Sequence, residues 1–336
     1  MNNNLIIPNN YESAFDTFDT QRAIKIVKDT FEIQLSKNLN LTRVSAPLYV
    51  YSNSGLNDNL SGKEKPVSFK AKDLENEIEI VHSLAKWKRL ALKQYDFWMH
   101  KGLYTDMNAI RKEESLDNLH SNYVDQWDFE KIIENEDRNL EYLKETVRQI
   151  VLALKATEYT LIGRFSFLQP IIDKDVFFIT SEELLQMYPN LSSKEREIKI
   201  NEKHHTTFIL QIGDLLSNNQ KHDDRSPDYD DWTLNGDLLI YSDILNTSVE
   251  ICSMGIRVNK EKLVEQLGKA NCLERLQLPY HQMLINDQLP LTIGGGIGQS
   301  RICMLLLQKA HIGEVQVSLW PIDMIQECKE NNINIL

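Results

Sequence analysis

Long apolar runs and long basic runs are both missing from this chain of 336 residues. No window approaches the ~18 consecutive apolar residues that a membrane-spanning helix needs. The most basic stretch is the short segment 86–89, Lys-Trp-Lys-Arg, in a chain whose formal net charge is −12. Nucleic acids and anionic membranes attract clustered lysine and arginine, so we expect neither of them as a partner.

Cysteine is also scarce, and the four residues are Cys252, Cys272, Cys303 and Cys328. None belongs to a Cys-x-x-Cys pair, so their spacing predicts neither a disulfide framework nor a zinc site. The first eleven residues are rich in asparagine and carry no basic segment, which is not the pattern of a secretory signal. We therefore expect a cytoplasmic protein.

Apolar residues make up 42% of the chain, which is enough to bury a sizeable core. No repeat or Pro- or Ser-rich linker divides it, so we expect residues 1–336 to form one domain. Apolar spacings of three and four predict helices over about 20–37 and 139–160. Runs of neighbouring strands alternate with runs of helices, which favours an α+β fold with a largely antiparallel sheet.

Local patterns predict several further elements. Thr180 with Glu183 and Ser192 with Glu195 are typical capping boxes that open short helices. Segments 238–241 and 249–258 are predicted to pair as antiparallel strands. The acidic segment 222–232 before them is predicted to be a polar loop, which could be merely solvated or could serve a cation and an ammonium group.

The segment 294–298, Gly-Gly-Gly-Ile-Gly, lies between a predicted strand and a predicted helix. No Gly-Lys-Ser/Thr follows it, so it is neither a P-loop nor a dinucleotide fingerprint. Its glycines could serve only the close packing of strand and helix. Arg301, one turn into that helix, would also suit a phosphate or an adenine lying over the glycines.

Charged residues recur at other strand and helix ends. Arg111 ends a predicted strand, and alternation places Gln126, Asp128 and Glu130 together on one face of the next strand, with Asp125 and the aromatic residues on the other. That face could be solvated, or it could hold ATP with a cation. The basic segment 86–89 could likewise be a solvated helix face or an anion site near a helix start.

Three carboxylates complete the set. Asp58 lies in a turn, where aspartate usually bonds to its own backbone. Asp237 and Glu250 lie on the two strands of the predicted hairpin. Facing carboxylates repel each other unless a cation lies between them, so a Mg²⁺ site is one interpretation. The other is that both side chains point outward separately.

Six stretches of the chain, taken in order, resemble the ammonia-dependent asparagine synthetases, or aspartate–ammonia ligases. They are residues 58–62, 81–89, 123–128, 227–232, 253–257 and 294–301. Each is weak alone, but together they span most of the chain. This family is similar to the catalytic core of class II aminoacyl-tRNA synthetases, which implies a fold of that kind. Pro47 then resembles the proline of the first class-defining motif, at a dimer interface, so a homodimer is expected.

The resemblance implies that the carboxylate of the aspartate side chain attacks the α-phosphorus of ATP. Pyrophosphate leaves, and ammonia then displaces AMP from the β-aspartyl-adenylate. Arg111 resembles the arginine that grips the α-phosphate, and Arg301 resembles the one near the adenine and the γ-phosphate. Mg²⁺ is expected at Asp237 and Glu250. The residues expected to contact ATP are Arg111, Glu113, Gly294, Gly295, Gly296, Gly298 and Arg301.

The resemblance also implies an aspartate site. Lys88 and Ser83 would hold a carboxylate of aspartate, while Gln126 and Asp128 would orient the substrate beside Arg111. The residues expected to meet the amino group, the ammonia or the metal region are Asp58, Asp230 and Ser253. Catalytic roles are expected for Arg111, Arg301, Asp58 and Lys88.

One alternative is a non-catalytic paralogue that binds an adenylate or an amino acid as a regulator. Such proteins typically lose a phosphate-gripping arginine or a metal carboxylate, whereas Arg111, Glu250 and Arg301 are all present. A glutamine-dependent enzyme commonly needs an N-terminal cysteine, and the first cysteine here is Cys252. One departure from the family pattern is a shorter stretch between Trp232 and Asn235, so the resemblance does not predict the conformation of the neighbouring loop.

Overall fold

The structure, a computed structural model, describes residues 5–58, 60 and 64–336. Parts of the stretch 58–62 therefore lie outside the described residues. The helices are α1 Thr17–Leu39, α2 Ala85–Gln94, α3 Leu140–Arg164, α4 Ser181–Met187, α5 Ser193–Lys203, α6 Lys260–Lys269, α7 Pro279–Ile285, α8 Gln299–Leu306 and α9 Ile322–Glu330. None of the helices in these described ranges is long and apolar enough to cross a membrane.

Strands form two sheets. The strands are β1 Leu41–Arg43, β2 Tyr49–Tyr51, β3 Ser68–Phe69, β4 Ile78–Ile80, β5 Gly102–Ile110, β6 Tyr123–Ile132, β7 Phe177–Thr180, β8 Thr206–Leu210, β9 Asp230–Ser242, β10 Thr247–Arg257 and β11 Thr292–Gly298. Eight of them form the large sheet, in the order β1-β5-β6-β11-β10-β9-β8-β7. The short strands β2, β4 and β3 form a small antiparallel sheet.

The predicted α+β class is confirmed, but the large sheet is mixed. Its central pairs from β5 to β8 are antiparallel, whereas β1 is parallel to β5 and β7 is parallel to β8. Parallel neighbours need a long crossover rather than a tight turn. Helices α4 and α5 supply that crossover between β7 and β8.

Helices α1 and α3 pack against one face of the large sheet. Phe31 of α1 lies against Trp127 of β6, with their ring centroids 4.7 Å apart. Trp127 and Phe129 belong to the buried core, whereas the alternate residue Asp128 points to the opposite face. The predicted alternation along β6 is therefore confirmed, and one face of the sheet is left for polar chemistry.

Strand β9 begins earlier than the polar pattern predicts. The segment 222–232 was expected to be a loop throughout, yet Asp230 already pairs with Arg257 in the ladder. Local composition disfavours aspartate in a strand, but this position is decided by burial and ion pairing. The short stretch between Trp232 and Asn235 thus lies within β9, at an irregular point where the register with β10 shifts.

A buried histidine, His311, lies in the C-terminal part of the fold. Nδ1 of His311 accepts a hydrogen bond from the Gly313 N–H at 2.9 Å, and its ring lies edge-on to Trp320. Burial lowers the pKa of His311 to about 4, against a smaller opposing effect of Asp117. The imidazole is therefore neutral in the folded protein near neutral pH.

This burial predicts a loss of stability in mild acid. The unfolded chain takes up a proton on His311 near pH ~6.5, whereas the folded chain resists it down to about 4. His311 thus contributes fully to the free energy of unfolding above pH ~6.5. This contribution, up to about 3 kcal/mol, is lost as the pH falls toward about 4. Urea unfolding across this range should show a steeper loss for the native protein than for His311→Asn, in which asparagine can still accept from Gly313. Equal slopes would contradict the prediction.

Candidate active site

A cavity of about 400 Å³ opens on the polar face of the large sheet. Its wall is built by β6, β10 and β11, by the N-terminal ends of α2 and α8, and by the segment that precedes β9. It brings together most of the residues predicted for the site. They are Asp58, Ser83, Lys88, Arg111, Gln126, Asp128, Asp230, Glu250, Ser253, Gly295, Gly296, Gly298 and Arg301.

Three predicted residues do not line this cavity. Glu113 accepts the exposed backbone N–H of Lys65, and its neighbour Glu114 lies on the wall instead. Gly294 lies beneath the carboxylate of Glu130, where a Cβ atom would overlap it. Asp237 lies behind the guanidinium of Arg225.

The glycines of β11 leave room over the centre of the sheet for polar side chains of the neighbouring strand. Gly296 pairs with Asp128 of β6 on one side and with Ser253 of β10 on the other. A Cβ atom at Gly296 would lie 2.6 Å from Oε1 of Gln126 and 3.2 Å from Oδ1 of Asp128. Close packing and a place on the cavity wall are thus combined in one residue.

Substitution of Gly296 by alanine should harm activity more than stability. The new methyl group would push Gln126 and Asp128 into the cavity, and overpacking of this kind costs about 1–3 kcal/mol. We expect kcat/KM to fall at least ~10-fold in a steady-state assay, as shifted side chains lose their alignment. The control is Gly163→Ala in α3, where no atom lies within 4 Å, and which should gain roughly 0.5–1 kcal/mol without loss of activity. Equal activity of both variants would refute the assignment.

Arg111 follows the last residue of β5 and presents an incompletely paired guanidinium to the cavity. Its backbone is fixed by two hydrogen bonds with Asn122, each 2.9 Å long. One terminal nitrogen donates to the His82 carbonyl at 3.3 Å, and Nε is buried with no partner among the described residues. Buried donors are normally satisfied, so the geometry suits an incoming anion.

Helix α8 carries Arg301 to the opposite part of the wall. Its N-terminal Ser300 N–H donates to Asp125 at 3.0 Å, and Asp125 is itself paired with Lys28 of α1. Arg301 donates to the Glu250 carbonyl at 2.8 Å and lies 4.0 Å from the Glu250 carboxylate. The guanidinium is therefore tethered but still lines the open space.

The predicted pairing of Asp237 with Glu250 is wrong in register. Glu250 lies opposite Leu239, and beyond a bulge between Glu250 and Cys252 Asp237 lies opposite Ser253. The sequence pattern could not reveal the extra residue that shifts the ladder.

Arg225, which sequence reasoning did not single out, supplies the positive charge beside Asp237. It donates to Asp237 at 2.6 Å and also to the hydroxyl of Ser253. Burial raises the pKa of Asp237 to about 6, with Arg225 opposing the rise and Glu250 adding to it. The only sequence signal for Arg225 was that it is a lone arginine within the acidic segment 222–232.

The donor set suits Mg²⁺ only in part. Burial raises the pKa of Glu250, but Arg301, Lys194 and Arg225 outweigh it and keep the pKa below its ordinary value. Glu250 is thus an ionised carboxylate on the wall. Within the described ranges no group of three or more His, Cys, Asp or Glu could hold a metal. Mg²⁺ often binds through one or two carboxylates and substrate phosphates, so Glu250 fits a metal that arrives with ATP.

Lys88 and Asp128 form a buried pair at the floor of the cavity. The ammonium group of Lys88 donates to Oδ1 of Asp128 at 2.5 Å and to the Gly295 carbonyl at 2.9 Å. A lysine has three donors, so one remains. Oδ2 of Asp128 is buried without a partner in the described part of the chain. One free donor and one free acceptor suit a zwitterionic amino acid.

Arg257 forms a buried triad that sequence reasoning also missed. Its guanidinium donates twice to Glu130, at 3.0 and 2.8 Å, and once to Asp230. Burial raises the pKa of Asp230 even though Arg257 opposes the rise. The sequence signal for Arg257 was its position at the end of the stretch 253–257. Its partner Glu130 is 127 residues away, so no local pattern could indicate the pair.

Asp58 lies at the rim of the same floor. Its carboxylate accepts the Leu60 N–H at 3.0 Å and the hydroxyl of Ser83 at 3.1 Å. The predicted local bond within a turn is therefore present, and the bond to Ser83 ties this turn to the start of α2. The side chain is buried but lines the cavity.

Comparison with known proteins places the chain in a family. The family model of aspartate–ammonia ligase matches residues 18–332. The aspartate–ammonia ligase of Clostridium perfringens strain SM101 is 59% identical over 333 residues, covering 99% of both chains. That of Clostridium tetani is 56% identical over 334 residues, covering 99% of this chain and 98% of its own. The chain belongs to the aspartate–ammonia ligase family.

The predicted family is thus confirmed, and solved structures confirm the predicted type of fold. An asparaginyl-tRNA synthetase from Pyrococcus horikoshii, complexed with asparaginyl-adenylate, superposes with a TM-score of 0.66 at 14% identity, covering 90% of this chain and 70% of that one. The asparaginyl-tRNA synthetase of Entamoeba histolytica gives a TM-score of 0.62, also at 14% identity, covering 89% and 66%. This family member therefore has the architecture of a class II synthetase core.

Proposed function

We propose that the protein is an AMP-forming ligase, which makes asparagine from aspartate, ammonia and ATP. The observation that carries this proposal is the incompletely paired guanidinium of Arg111, which shares one cavity with Arg301 and the Lys88–Asp128 pair. Membership of the aspartate–ammonia ligase family supports the same reaction. The intermediate is the β-aspartyl-adenylate.

The first step joins the aspartate side chain to the α-phosphorus of ATP and releases pyrophosphate. A free carboxylate is a poor acyl donor because oxide is a poor leaving group, and adenylation supplies AMP instead. Negative charge grows on the phosphoryl oxygens in the transition state. Arg111 and Arg301 are fixed donors on the wall, and each such group typically contributes about 3–4 kcal/mol.

Aspartate is held at the floor of the cavity. The remaining donor of Lys88 binds a carboxylate of the substrate, and the free oxygen of Asp128 accepts from its amino group. Gln126 and Ser83 lie on the same wall and can complete the hydrogen bonds. This arrangement orients the side-chain carboxylate toward Arg111.

Ammonia attacks the acyl carbon in the second step, and AMP leaves. The nucleophile is the uncharged form, so a carboxylate that accepts a proton from ammonium would assist. Asp58 and Asp230 both line the cavity and are the candidates. Burial raises the pKa of Asp230, which makes it a stronger base than an ordinary carboxylate.

Mg²⁺ would be held by Glu250 and the phosphates of ATP. When bound, it would neutralise phosphate charge during adenylation. Asp237 is paired with Arg225 and does not line the cavity. Ser253, whose hydroxyl accepts from Arg225, lies beside this region and keeps that arginine in place.

The expected homodimer belongs to the same proposal. On α1, Phe18 and Ile33 expose apolar side chains, and Leu48 and Tyr49 do so directly after Pro47. A second copy of the chain would cover this apolar surface. We also propose that residues 1–336 act as one catalytic domain in the cytoplasm, where the four free thiols stay reduced.

The test is a product assay with purified protein, ATP, Mg²⁺ and aspartate, with and without ammonium. AMP, pyrophosphate and asparagine should appear together, and asparagine only with ammonium. ADP in place of AMP would overturn the adenylate route and the roles of Arg111 and Arg301. Binding of ATP or aspartate without turnover would favour a regulatory paralogue instead.

A further inference from the structure

The carboxylate of Asp228 lies behind the cavity wall and is completely buried. Its Oδ2 accepts from Nε2 of His281 at 2.9 Å, from Nζ of Lys86 at 3.1 Å and from Arg275 at 3.3 Å. Its Oδ1 accepts from the hydroxyl of Ser226 at 2.8 Å. Four donors from three separate parts of the chain thus converge on one side chain.

This carboxylate stays charged in the folded protein. Burial alone would raise the pKa of Asp228, but Lys86, His281 and Arg275 hold it well below its ordinary value. An ionised group out of water is stable only while its partners remain in place. Moving any one partner away would leave a buried charge uncompensated, so the cluster holds its elements together.

Each partner is attached to a segment of the aspartate half of the cavity. Asp228 comes two residues before Asp230, and Lys86 lies on α2 between Ser83 and Lys88. His281, on α7, packs against the turn that leads to Asp58. At Gly55 in that turn φ is +75°, and a Cβ atom would lie 3.1 Å from Nδ1 of His281.

None of the three residues Asp228, Lys86 and His281 lines the cavity itself. They cannot touch substrate, so any effect on the reaction must pass through the segments that they hold. The ATP half, built by Arg111 and α8, has no hydrogen bond to this cluster in the described part of the chain.

We propose that Asp228 and His281 are positioning residues for the aspartate and ammonium end of the site. They hold Asp58, Lys88 and Asp230 at a fixed spacing, so that substrate meets a preformed set of charges. Preorganisation of this kind lowers the cost of ordering on binding. This inference rests on the proposed function. It assigns the positioning of the aspartate and ammonium site to a buried cluster.

The test compares two amides at position 281. His281→Gln carries an NH₂ donor at about the reach of Nε2, whereas the shorter His281→Asn cannot reach Asp228. We expect His281→Asn to raise KM for aspartate and for ammonium at least ~10-fold and KM for ATP less than ~2-fold. His281→Gln should restore most of the difference. The exposed histidine variant His100→Gln is the matched control and should leave all three KM values unchanged.

A KM value does not depend on the folded fraction of a preparation, so it separates positioning from simple loss of protein. If His281→Asn does not fold, Arg275→Met removes the most exposed donor and should shift the same two KM values in the same direction. Equal rises in all three KM values, or none in either variant, would overturn the inference while wild-type turnover upholds the proposed function. A wild-type protein that forms no AMP would overturn both.

Discussion

Replacing Arg111 with alanine should lower kcat/KM by about 10²–10³ and leave the fold intact. Among the described residues the guanidinium makes one hydrogen bond, to a carbonyl at the long distance of 3.3 Å, and its Nε is buried without a partner. Its loss therefore costs the fold little, while it removes a fixed positive charge from the phosphoryl transition state. Aspartate-dependent exchange of pyrophosphate into ATP measures this step alone.

The control is Arg148→Ala, an exposed arginine on α3 that pairs with Glu145 and lies over the ring of Phe178, far from the cavity wall. It should retain full exchange activity, and both variants should match the native unfolding midpoint. Exchange at the native rate in Arg111→Ala would remove this residue from the mechanism. A loss confined to KM for ATP, with kcat unchanged, would mean that Arg111 binds the ground state and the transition state equally.

Replacing Arg257 with methionine should destabilise the protein by roughly 3–5 kcal/mol. The side chain is buried between Glu130 and Asp230, and methionine would leave two carboxylates without a counter-charge. Chemical denaturation should show a lower midpoint with a similar slope. The difference from the native protein should shrink as the pH falls, because protonation of Glu130 and Asp230 then removes the uncompensated charge.

The matched control is Arg22→Met, which breaks the exposed pair with Asp19 on α1. The Arg22 side chain is 63% exposed, so its loss should cost no more than ~0.5 kcal/mol. A similar small cost at Arg257 would show that the triad is dispensable for folding. In that case its position on the cavity wall would be its main contribution.

Local pattern in the sequence sufficed for several features of this protein. The spacing of Ile24, Val27, Phe31 and Leu35 predicts the buried stripe of α1; the last three are buried, and Ile24 is partly buried against the same core. The capping boxes at Thr180 and Ser192 both form as predicted. These features depend on residues two to four positions apart, whose geometry a helix or strand fixes. The six stretches identified the family, because local motifs and their order along the chain can be read without knowing the fold.

Tertiary structure decided the rest. The strand register puts Asp237 opposite Ser253 and Glu250 opposite Leu239, and composition does not encode that register. The pairs Arg257–Glu130 and Lys88–Asp128 join residues 127 and 40 positions apart, and the Asp228 cluster joins three separate parts of the chain. A charged residue in a sequence can equally be solvated or buried. Only the folded chain determines which it is, because burial without a partner is costly and the partner comes from a distant strand.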